Sequence, residues 1–129
     1  MIPSIRLTAT VLGTPDPPGL ARFYQRILGW PIRDDSPEWA TLRPSDGGTG
    51  LSFQLEADHV PPVWPPEPGT QQMQLHLDFE VDDLAAASAV AEETGARLLG
   101  AYTEPHEDVR IYADPAGHPF CLFVPTAAS

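Results

Sequence analysis

At 129 residues, 42% apolar and 9% aromatic, the chain has the length and composition of one globular domain, not of a disordered or fibrous segment. Eighteen acidic residues against seven basic ones give a net charge of −11, which excludes nucleic acid and anionic membranes as expected partners and favours cationic ligands. No stretch approaches the roughly 18 unbroken apolar residues of a membrane-spanning helix.

Residues 5–14 are β-branched and apolar without a helical period, and they predict a buried strand. Asp16 followed by Pro17 and Pro18 is a helix start, because aspartate caps free N–H groups and proline suits the first turn. Leu20, Phe23, Ile27 and Leu28 recur at helical spacing, and Gly29 can take the left-handed conformation that ends a helix. The helix is therefore predicted over residues 17–28. Three extended pieces follow, at 30–33, 38–43 and 51–56, with turns predicted at Asp34-Asp35-Ser36-Pro37 and Ser45-Asp46-Gly47-Gly48. Residues 51–56 alternate apolar Leu51, Phe53 and Leu55 with polar Ser52, Gln54 and Glu56, the mark of a two-faced strand.

Residues 60–69 hold five of the sixteen prolines together with Trp64. Proline fixes φ and lacks an N–H donor, so this segment predicts an irregular connection, long enough to serve also as a lid. Residues 72–81 then predict a strand with Leu75, Leu77, Phe79 and Val81 on one face and Gln74, His76, Asp78 and Glu80 on the other. Asp82 or Asp83 caps a second helix running to about Thr94, with Leu84, Ala87, Val90, Ala91 and Thr94 inward, and Gly95 closes it. Strands are expected at 97–102, 109–113 and 120–124. Asp114-Pro115-Ala116-Gly117 carries the residues of a type I turn.

Strand, helix and three strands thus occur twice. Each copy needs a partner surface to bury its apolar face. The expected architecture is α+β: two βαβββ modules (about 4–56 and 71–125, joined by 57–70) within one domain spanning 1–129. They would form a curved mixed sheet with helices on one face and a concave cup on the other. Gln54, Glu56, His76, Asp78, Glu80, Cys121 and Phe123 point into that cup by parity. The lone cysteine, Cys121, cannot form an internal disulfide, which fits a reducing, cytoplasmic setting. Residues 1–6 lack the basic start and apolar run of a secretion signal, and 127–129 are expected to fray.

Three segments carry a family resemblance: Arg22-Phe23-Tyr24-Gln25-Arg26-Ile27-Leu28-Gly29-Trp30, His76-Leu77-Asp78-Phe79-Glu80-Val81-Asp82-Asp83, and Asp114-Pro115-Ala116-Gly117-His118-Pro119-Phe120-Cys121. In this order and with the repeat, the chain resembles the vicinal oxygen chelate superfamily, which includes glyoxalase I, the bleomycin-resistance proteins and extradiol dioxygenases. Within it, Phe53-Gln54, His76-Leu77-Asp78 and Phe120-Cys121 look most like a broad bacterial glyoxalase-like group. The resemblance implies four cup positions for metal ligands. Here they fall on Ala9, on Gln54 (less well Glu56), on His76 and on Cys121. Ala9 offers no donor, so His76, Gln54 and Cys121 form an incomplete set. The expectation is no resident cofactor, with a divalent metal as the alternative.

The resemblance implies a homodimer that binds a small aromatic or cationic molecule, for drug or metabolite sequestration. Gln54, Trp64, Asp78, Glu80, Cys121 and Phe123 are its candidate contacts. The alternative is a lyase, isomerase or dioxygenase-type enzyme, distinct from true glyoxalase I, in which His76 is the catalytic residue as metal ligand or general acid–base. As simpler roles, His76 would be a hydrogen-bonded lining residue, Cys121 a small buried hydrophobe, Asp78 and Glu80 a solvated rim, and Trp64 a plug at a dimer contact. The remaining histidines, His59, His106 and His118, are expected at the surface.

Overall fold

The computed structural model describes residues 2–104 and 107–125; His106 and the tail at 127–129 lie outside the described residues. The chain divides into two compact units between His59 and Val60. Among the described residues no helix is long and apolar enough to cross a membrane.

The first unit runs β1 (Ala9–Thr14), α1 (Pro17–Leu28), β2 (Ile32–Ser36), β3 (Trp39–Leu42) and β4 (Gly50–Leu55). α1 starts and stops where its caps predict. The Asp16 carboxylate accepts the Gly19 N–H at 3.1 Å, and Gly29, at φ 73°, donates to the Gln25 carbonyl at 2.7 Å. The sheet order is β1-β4-β3-β2, with β1 parallel to β4 and the other pairs antiparallel. Leu12, Ala40, Leu42 and Phe53 are fully buried on the face that meets α1, where Tyr24 stacks on Phe53 at 5.8 Å and Phe23 meets Tyr24 edge-on. Burial of a ring such as Phe53 contributes about 2–3 kcal/mol. Alternation leaves Ala9, Val11, Thr41, Ser52 and Gln54 on the helix-free face.

Two expectations for this unit are corrected. β1 begins at Ala9, because its ladder partner β4 begins at Gly50; Ile5 and Leu7 stay exposed instead of forming part of a buried strand. The acidic run Asp34-Asp35-Ser36 is strand, and the turn is confined to Pro37 and Glu38. Ser36 closes this hairpin by a side-chain hydrogen bond from the Trp39 N–H, while Arg22 of α1 pairs with Asp35 at 2.9 Å and offsets its charge.

The second unit repeats the plan: β5 (Leu77–Glu80), α2 (Leu84–Thr94), β6 (Arg97–Glu104), β7 (Glu107–Ala113) and β8 (Pro119–Pro125). The strand order β5-β8-β7-β6 reproduces that of the first unit, again with only the outer pair β5–β8 parallel. The hydrogen-bonded strands thus form two four-stranded mixed sheets, one in each unit, each with its helix as the two expected βαβββ modules require. Asp83 caps α2 through the Ala86 N–H and Gly95 ends it. The Asp114 turn forms as predicted: Gly117 N–H donates to the Asp114 carbonyl at 2.8 Å, and the Asp114 carboxylate accepts from Ala116 and His118. Phe120 lies between Tyr112, stacked at 5.7 Å, and Phe79, edge-on at 6.0 Å.

Here too the edges differ from the sequence reading. β5 starts only at Leu77, level with Phe120; residues 72–76 have no ladder partner. In α2 the most buried positions are Ser88 and Ala91, and Val90 is exposed. An alanine-rich helix has little apolar contrast around its circumference, so its inward face is set by what the sheet offers. The proline-rich connection is irregular as expected. Val63 N–H donates to the Gln71 carbonyl at 2.9 Å, and Trp64 meets Tyr102 edge-on at 6.2 Å.

Candidate functional site

Parity in β5 sends Leu77 and Phe79 toward the packed side and Asp78, with His76 just before the strand, to the other. The parallel ladder sets Asp78 level with Cys121, and the antiparallel ladder sets Ile111 level with Cys121 and Val109 level with Phe123. These registers gather His76, Asp78, Val109, Cys121 and Phe123 around one hollow of about 230 Å3. His76 Nε2 lies 3.1 Å from Asp78 Oδ1, close enough for the carboxylate to orient the imidazole. One donor atom each from His76, Asp78 and Cys121 lies within 4.8 Å of the others.

This trio of nitrogen, oxygen and sulfur donors suits a borderline metal such as zinc, whose catalytic sites use three protein ligands and keep one position open. Ligands bound at about 2.0–2.3 Å from such an ion stand roughly 3.3–3.8 Å apart, so side-chain movements of an ångström or less would close the set. His76 and Asp78 are partly exposed, at 41% and 59%, so the donors are reachable from solvent.

The ladders also define the counterparts in the first unit. Ser52 is level with Val11 as Cys121 is with Asp78, so Ser52, not Gln54, occupies the position equivalent to Cys121. Ala9 and Val11 stand where His76 and Asp78 stand, so among the described residues the grouped His, Asp and Cys donors lie in the second unit. Gln54 belongs to the first unit, exposed, donating to Glu56 at 2.8 Å. Ser52 and Thr41 are buried, their hydroxyls 3.4 Å apart, and they line a hollow of about 730 Å3 on the helix-free face.

Among the other expected contacts, Phe123 joins the His76 hollow. Glu80 lines a different one beside α2 with Asp83 and Val90. Trp64 packs on Tyr102 and is absent from the His76 lining. His59 and His118 are half-buried, more enclosed than expected. Sequence reasoning missed Ser52 as a lining residue, although the alternation in residues 51–56 had already put it on the same face as Gln54. It also missed Asp78 as a possible third donor, which only the β5–β8 register reveals.

Two four-stranded βαβββ sheets define the fold of the glyoxalase/bleomycin-resistance class, within the vicinal oxygen chelate superfamily. A glyoxalase-like domain model matches residues 9–123, and the chain belongs to that family. A glyoxalase/bleomycin resistance protein/dioxygenase family enzyme from Burkholderia phytofirmans superposes with a TM-score of 0.73 at 19% identity, covering 93% of this chain and 98% of that one. A glyoxalase-related enzyme from Fulvimarina pelagi gives 0.68 at 23% identity, covering 92% and 87%. An antibiotic-binding protein from a Streptomyces species gives 0.62 at 21% identity, covering 98% and 100%. No curated protein matches the sequence.

Proposed function

We propose that this chain is a small-molecule-binding protein that holds an aromatic drug or metabolite against the helix-free face of its sheets. The observation that carries this reading is the open hollow of about 730 Å3 over Thr41 and Ser52, whose size lies within the range of small-molecule sites. An antibiotic-binding protein of the same fold adds support. The family resemblance extends the reading to a homodimer, with Cys121 kept reduced in the cytoplasm; sedimentation equilibrium tests the dimer. A thermal-shift screen of aromatic acids, amines and antibiotics tests the binding. A ligand at a hundredfold its Kd adds about 2.7 kcal/mol, a rise of several degrees. A broad screen in which no compound raises the melting temperature defeats the reading.

The second reading, an enzyme using His76, is favoured by the His76–Asp78–Cys121 cluster. These three residues would hold a divalent metal. A metal there would supply Lewis-acid polarisation of a substrate oxygen. Zinc titration followed by thermal unfolding tests it: the melting temperature rises in the parent protein and not in His76→Ala or Cys121→Ser. An unchanged parent, or equal shifts in the variants, refutes the metal form.

A further inference from the structure

The hollow over Thr41 and Ser52 carries a charge opposite in sign to that of the chain. There is no lysine, so the seven basic residues are all arginines, and three of them, Arg6, Arg33 and Arg43, line this one hollow. Asp34 is the single acidic residue in the lining, which leaves a local excess of two positive charges in a protein of net charge −11. Among the described residues none of the three arginines forms an ion pair, whereas Arg22 on the helix side is paired with Asp35.

The arginines arrive from separate segments: the lead into β1, the second residue of β2, and the residue after β3. Arg33 sits where the β2–β3 register shifts between Ile32 and Asp34. Such a bulge re-aims a side chain without ending the strand. Trp39, on the helix-free face of β3, adds an aromatic surface at 36% exposure, and Thr41 and Ser52 set two hydroxyls on the floor. Guanidinium groups are planar forks that match carboxylate and phosphoryl oxygens, and three unpaired ones around one space repel each other until an anion enters.

We infer that the ligand of the first unit is a small organic anion, a carboxylate or phosphoryl group on a flat unsaturated body. Arg6, Arg33 and Arg43 hold the oxyanion, Trp39 stacks on the body, and the hydroxyls of Thr41 and Ser52 accept or donate at its polar edge. The inference rests on the ligand-binding reading above and names its substrate class. It also reverses the preference for cations that whole-chain charge suggests.

The test is titration calorimetry at two ionic strengths with three probes of one shape: naphthalene-1-carboxylate, naphthalen-1-ylmethanol and naphthalen-1-ylmethylammonium. The carboxylate binds tightest, and its affinity falls as salt rises. Arg33→Ala and Arg43→Ala each weaken it about tenfold or more, the loss expected for one charge-assisted hydrogen bond. Arg97→Ala, in the second unit, leaves it unchanged. Both hollow arginines are outside the core, and circular dichroism verifies that the variants fold. Equal or tighter binding of the alcohol or the ammonium, or no effect of the two arginine variants, overturns the anion inference while leaving ligand binding intact. Binding of none of the three probes, at any salt concentration, counts against both.

Discussion

Gly117→Ala probes the link between the Asp114 turn and the site, since this turn launches β8 and so sets Cys121 level with Asp78. Gly117 has φ 90°, and a Cβ there would lie 2.6 Å from the Pro61 Cβ and 3.3 Å from its Cα. Two costs add. A side chain at positive φ costs about 1–2 kcal/mol. Overlap with a ring that is part of the backbone adds about 1–3 kcal/mol, as for other overpacked positions. Gly29→Ala is the control: its φ is 73°, yet nothing lies within 4 Å of the added Cβ, so it bears only the first cost. Urea unfolding should place Gly117→Ala about 1–3 kcal/mol below Gly29→Ala, roughly 4–10 °C in melting temperature. Pro61→Gly removes the colliding ring, and in that background Gly117→Ala should cost no more than Gly29→Ala does in the parent. Equal costs for the two alanine variants in the parent protein, or no rescue by Pro61→Gly, would refute the packing argument.

Asp114→Ala should cost about 2–4 kcal/mol in urea unfolding, because a buried carboxylate that accepts the N–H groups of Ala116 and His118 disappears and those donors lose their partner. Asp83→Ala, which removes one exposed cap on Ala86, should cost only about 1 kcal/mol by the same measurement. The buried Tyr112 hydroxyl donates to Glu92 at 2.6 Å; burial, and then this hydrogen bond, raise its pKa above 10. The raised value means that its contribution is fully present below the unfolded pKa of about 10 and is lost as pH rises through the folded one. Tyr112→Phe should therefore flatten the loss of stability measured between pH 9 and 11.5; an unchanged slope contradicts the assignment.

Much of the fold was legible in local chemistry. Asp16, Gly29, Asp83 and Gly95 bound the two helices because capping needs only a side-chain oxygen or a freed φ within three or four residues. The Asp114 turn and the alternation at residues 51–56 are equally local. Strand ends were not legible: Ile5 and Leu7 look like strand residues, but whether they pair depends on where β4 begins. The inward face of α2 was hidden for a related reason, since a run of alanines carries no directional signal until a sheet lies against it.

The site divides along the same line. Alternation by itself determined that His76 and Asp78 share a face, and the repeat determined that the two modules have one plan. Only the ladders decided that Cys121 stands beside Asp78, that Ser52 is its counterpart, and that Arg6, Arg33 and Arg43, up to 37 residues apart in the chain, border one hollow. Periodicity fixes direction within a strand, whereas neighbours across strands follow from register, which depends on turns and bulges distributed over the whole unit.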